Sequence, residues 1–106
     1  MVKTLIKAGV CGFTTHVTAE SDDMQNVSFS IETDCETIKK LAAVLPVVDG
    51  YMEIGAGFGG EIHQAVQSTL KGCCSGCIVP AGIFKSMQVA AGLALPAPVS
   101  IDITKE

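Results

Sequence analysis

The chain has 106 residues, of which 48% are hydrophobic and 17% charged, with a formal net charge of −4. That length suits one domain, able to bury roughly two-thirds of its unfolded surface without cross-links. The seven basic residues are scattered, Trp is absent and there is one Tyr, which excludes the basic stripe and stacking platforms of a nucleic-acid binder.

Residues 3–10 read as a strand ending at Cys11-Gly12. Residues 13–20 read as a second, with Phe13, Thr15, Val17 and Ala19 on one face and Thr14, His16, Thr18 and Glu20 on the other. After the polar turn 21–26, Val27, Phe29 and Ile31 alternate with Ser28, Ser30 and Glu32 in a third strand. Short connections make the three an antiparallel meander. Thr33-Asp34-Cys35-Glu36 matches a capping box, with Thr33 as N-cap, for a helix presenting Ile38, Leu41, Ala42 and Leu45 and stopped by Pro46. Residues 47–54 read as a short extended piece and 55–60 as a glycine-rich loop. A second helix, from about Glu61 to Leu70, turns Ile62, Ala65, Val66 and Leu70 inward, with Gly72 as its C-cap. Pro80 opens a third helix with Ile83, Phe84, Met87, Ala90 and Ala91 inward and Gly92 as its stop. Beyond Pro96 and Pro98, Val99, Ile101 and Ile103 alternate with Ser100, Asp102 and Thr104 as a last strand. The expected fold is α+β: a three-stranded antiparallel meander, three helices and a C-terminal strand, with the helices on one face of the sheet.

A mean hydropathy of +0.45 is high for so small a chain and points to a homo-oligomer, or a protein partner, covering apolar surface. The tract Ile78 to Val99 contains Lys85, Ser86, Gln88 and three prolines, a poor membrane span. The first seven residues are too short and too mixed for an export signal. A reducing, cytoplasmic setting is therefore expected, in which thiols stay free or hold metal.

The chemically pointed feature is five cysteines, Cys11, Cys35, Cys73, Cys74 and Cys77. An odd number does not close a disulfide framework. In an up-down-up meander the first and third strands end on the same side, which brings Cys11 and Cys35 together. Cys35 also lies in the first turn of a helix, where free N–H groups and the dipole favour a thiolate. Cys74-Ser75-Gly76-Cys77 is a C-x-x-C, a spacing that lets a tight loop present two thiolates to one metal. Cys11, Cys35, Cys74 and Cys77, with Cys73 as the alternative to Cys74, would make four ligands for zinc or an iron–sulfur cluster. Two competing readings stand beside this. One is thiol redox or sulfur transfer, with Cys35 as nucleophile and Cys74 or Cys77 as the resolving thiol. The other is a structural or interaction protein whose cysteines are small apolar residues.

Residues 55–60 match G-x-G-x-x-G, but after Glu61 the next acid is Asp102, so the acid that a dinucleotide site needs about 20 residues on is missing. The segment reads as a loop able to offer N–H groups to a small anion or to act as a lid. His16 and His63 read as solvated surface residues, and Asp22-Asp23 as a turn.

The segments 7–15 (Lys-Ala-Gly-Val-Cys-Gly-Phe-Thr-Thr), 34–36 (Asp-Cys-Glu), 77–80 (Cys-Ile-Val-Pro) and 89–96 resemble a domain-of-unknown-function family of small prokaryotic proteins, many from anaerobes. The resemblance covers nearly the whole chain. It implies that the segments bearing Cys11, Cys35 and Cys77 belong to the family pattern, and it carries no reaction.

Overall fold

Period-two alternation in the first third of the chain builds a sheet. In the computed structural model, which describes residues 1–106, β1 (Val2–Lys7), β2 (Thr14–Glu20) and β3 (Asn26–Thr33) pair antiparallel in chain order. A two-residue β4 (Val48–Asp49) adds to the outer edge of β3. Ile6, Thr15, Val17, Ala19 and Val27 are buried, whereas Lys3, Leu5, His16, Ser30 and Glu32 on the alternate positions are exposed.

Four helices follow: α1 (Glu36–Val44), α2 (Gly50–Ala56), α3 (Glu61–Thr69) and α4 (Val79–Ala90). Helix α4 packs on β1 and β2, α1 packs on β3, and α3 packs against both helices. The core joins Ile6, Val17 and Val27 of the sheet to Ile38 and Leu41 of α1, Ile62 of α3, and Val79, Ile83 and Met87 of α4. Each large side chain buried there contributes about 1.5–3 kcal/mol.

The packing of α4 fixes its direction. Gly82 lies against Ile6, with no room for a Cβ, and farther along α4 Ala91 lies against Gly50. Thr4 and Ser86 share a hydroxyl hydrogen bond of 2.6 Å, and Ser86 donates to the Gly82 carbonyl at 2.7 Å. Helix α4 thus runs antiparallel to β1, and its first turn lies at the Lys7 end of the sheet.

Several expected boundaries move. The first strand stops at Lys7 because residues 8–13 close a hairpin loop, with Gly9 at φ 88° and Gly12 at φ 76°, both left-handed, and Gly12 N–H donating to Gly9 C=O. Helix α1 begins two residues later than the capping-box reading. Cys35 is its N-cap, and Glu36 is its first residue rather than its third. The Thr33 hydroxyl instead accepts from the Cys35 N–H. The stretch expected to be extended, 47–54, is mostly α2. Asp49 caps it by accepting from the N–H groups of Tyr51 and Met52, a gain that outweighs the low helix propensity of Gly50 and Gly55.

The expected C-terminal strand does not form within the chain. Gly92, at φ 74°, ends α4, and every residue from 92 to 106 is exposed. The β3 edge is taken by β4, so the fourth strand of the sheet is Val48–Asp49 and not Val99–Ile103. The stretch Gly72–Ala90 is long and apolar enough to cross a membrane by length and composition alone. It is a short 3-10 turn at Gly72–Gly76, a break at Cys77, and α4, whose Val79, Ile83 and Met87 are core residues.

Candidate functional site

The register assembles one end of the molecule from four separate segments. Lys7 faces Thr14, and Thr15 faces Thr33, so the loop bearing Cys11 and the β3–α1 junction bearing Cys35 share the Lys7 end. The 3-10 turn after α3 carries Cys73 and Cys74, and the Cys77 N–H donates to the Cys74 carbonyl at 3.1 Å. Cys77 stands two residues before α4, whose first turn is held there by the Gly82–Ile6 contact.

The five cysteines are not equivalent. Cys35, Cys74 and Cys77 are half-buried and pack against the core, whereas Cys11 and Cys73 are exposed. Burial pushes the Cys77 thiol up, and negative charge on Cys11, Cys35 and Cys74 pushes the same way. The Val79 N–H, which donates to Cys77 Sγ at 3.5 Å, opposes the shift. These neighbours are the other three candidate ligands, and Cys73 is not among them. As they stand, no three Cys, His, Asp or Glu side chains are grouped so that they could hold a metal ion.

A hydroxyl relay holds Cys35 in place. The buried Thr15 donates to Thr33 Oγ1 at 2.9 Å, and Thr33 Oγ1 accepts from the Cys35 N–H at 3.1 Å. The sequence signal for this relay was the inward-facing Thr15, placed opposite Thr33 only once the register is known.

The glycine-rich segment has a different use. Glu53, 3% exposed, accepts from the N–H groups of Glu61 at 2.9 Å and Ile62 at 2.8 Å. A Cβ on Gly60 would meet its Oε2 at 2.7 Å. The anion seat at the start of α3 is therefore filled by the protein's own carboxylate, which removes the small-anion reading of residues 55–60. His63 is not a solvated surface residue. It lies between Phe58 and Phe84, with ring centroids at 4.7 Å and 5.2 Å, beside an open depression of about 300 Å³. His16 is exposed on the outer face of the sheet.

The model of a family of unknown function, DUF6951, matches residues 2–103, and the chain belongs to that family. No curated protein and no solved structure matches.

Proposed function

We propose that this protein is a small metal-binding module in which Cys11, Cys35, Cys74 and Cys77 ligate an iron–sulfur cluster or zinc. The observation that supports the reading is that the loop bearing Cys11, the β3–α1 junction bearing Cys35 and the entry to α4 beside Cys77 share the Lys7 end of the sheet, with the Cys77 N–H donating to the Cys74 carbonyl. Four soft donors suit zinc or a cluster and exclude the oxygen-seeking cations. Thiolates on one zinc lie roughly 4 Å apart, whereas a polynuclear cluster holds its thiolates around a larger periphery.

The surroundings support thiolate ligation. Helix α1 starts directly after Cys35, and α4 starts two residues after Cys77. The positive dipole end of each helix therefore lies next to a cysteine in sequence. The Val79 N–H on Cys77 Sγ is the kind of outer-shell bond that tunes a cluster. Such a module serves electron transfer, cluster handling or the stabilisation of a partner protein, and a reducing cytoplasm keeps its thiols available.

Anaerobic purification with metal and sulfide analysis tests the reading. Iron with acid-labile sulfide and broad visible absorbance is the expected result, and stoichiometric zinc without colour supports the mononuclear form. A metal-free protein that also takes up neither zinc nor a reconstituted cluster overturns both. Thiol redox chemistry then becomes the reading to test. Cys35 would attack and Cys77, whose thiol burial holds in the protonated form, would serve as the resolving partner.

A further inference from the structure

The segment after α4 has the pattern of a strand and no sheet to join. Val99, Ile101 and Ile103 are 68%, 68% and 89% exposed and alternate with Ser100, Asp102 and Thr104. The family match runs through residue 103, so Val99, Ile101 and Ile103 belong to the shared domain. At the other side of the sheet, β1 pairs only with β2 and is a free edge. Its outer row of N–H and C=O groups is a template for another strand.

The two surfaces are complementary in charge and in apolar character. On β1 the outward positions are Lys3, Leu5 and Lys7, while Val2, Thr4 and Ile6 turn toward α4. On the arm, one face carries Val99, Ile101 and Ile103 and ends on Lys105. The other carries Ser100, Asp102, Thr104 and Glu106. Lys3 and Lys7 are four residues apart, as are Asp102 and Glu106. With the apolar face of the arm laid on the α4 side, the two acids fall beside the two lysines whichever way the strand runs. Cross-strand pairs of opposite charge are stabilising and like pairs are not.

The arm does not pack on its own body, since every residue from 92 to 106 is exposed. Gly92 and Leu93 donate to Val89 and Gln88 carbonyls, which fixes the turn, and Pro96 and Pro98 stiffen the chain between that turn and the arm. The molecule is 45 Å long against 28 and 24 Å in the other directions. We infer that residues 99–106 of one copy add as a strand to the β1 edge of a second copy, and reciprocally, forming a strand-exchanged homodimer. The exchange is isologous, so each dimer contains the arm–edge contact twice.

Sedimentation equilibrium of the full chain, with reductant present so that exposed Cys11 and Cys73 do not cross-link, reads the assembly directly. The expected mass is twice the 11.0 kDa of one chain. Ile101→Asp, at an exposed position that leaves the monomer fold intact, shifts the mass to one chain. Lys3→Glu with Lys7→Glu weakens the dimer at least about tenfold at low salt, and adding Asp102→Lys with Glu106→Lys restores it. A full chain that stays monomeric at about 100 μM, well above the roughly micromolar range of a modest interface, overturns the inference; an arm folded onto its own β1 gives that result. A dimer that survives Ile101→Asp, or a charge reversal that the compensating pair does not rescue, overturns it equally.

Discussion

Cys73 and Cys74 are adjacent in sequence and opposite in setting. Cys74 packs against the core near Cys77, while Cys73 is exposed and outside that neighbourhood. Cys73→Ser should therefore keep its full metal content by elemental analysis, and Cys74→Ser should lose most of it. Glu53 is a second residue with a definite task. Its carboxylate satisfies two N–H groups at the start of α3, so Glu53→Ala should cost about 1–3 kcal/mol in urea unfolding. Asp23 predicts a pH effect. The N–H and side-chain amide of Asn26 and the N–H of Gln25 hold its carboxyl well below the usual 3.8. A carboxylate depressed in the folded state stabilises above its unfolded pKa and loses that contribution as pH falls toward the folded value. Urea midpoints should thus decline with acidification below about pH 4, and Asp23→Asn should flatten that part of the profile.

At the scale of elements, the close approach of α4 to β1 rests on Gly82. A Cβ there would collide with Ile6 Cδ1 and lie 2.9 Å from its Cγ1. Gly82→Ala gains helix propensity of up to about 1 kcal/mol and loses about 1–3 kcal/mol to overpacking, so the net change should be destabilising. Ile6→Val in the same chain should recover part of the loss, as a double-mutant cycle in thermal unfolding would show. Strands β2 and β3 and the inward faces of α1, α3 and α4 were legible because one face of each is buried and the period survives in the residue pattern. Helix α2 was hidden by Gly50 and Gly55, since its stability comes from the Asp49 cap and the tertiary bond of Glu53. The shared end of the Cys11 and Cys35 segments was legible from strand direction. The Thr15–Thr33 relay was not, because it depends on a register that neither residue encodes alone. The alternation of residues 99–103 led to a strand that the structure does not form, because period-two patterning alone says nothing about whether a sheet edge receives it.

For the molecule as a whole, the strand-exchanged dimer predicts that stability depends on concentration. Dissociation exposes the apolar arm and the β1 edge together, so the thermal midpoint should fall on dilution across the dimer dissociation range. Scanning calorimetry over a hundredfold range of protein concentration checks this, and Ile101→Asp should abolish the dependence. The Lys7 end has a consequence in time as well as in space. Its sulfurs come from residue 11 and from residue 77, and α4, which ends at Ala90, is needed to hold the latter. A chain leaving the ribosome therefore brings these cysteine-bearing segments to one end only after residues through Ala90 are free to fold. Under the proposed ligation, metal loading follows the emergence of α4 and cannot be completed on the meander alone.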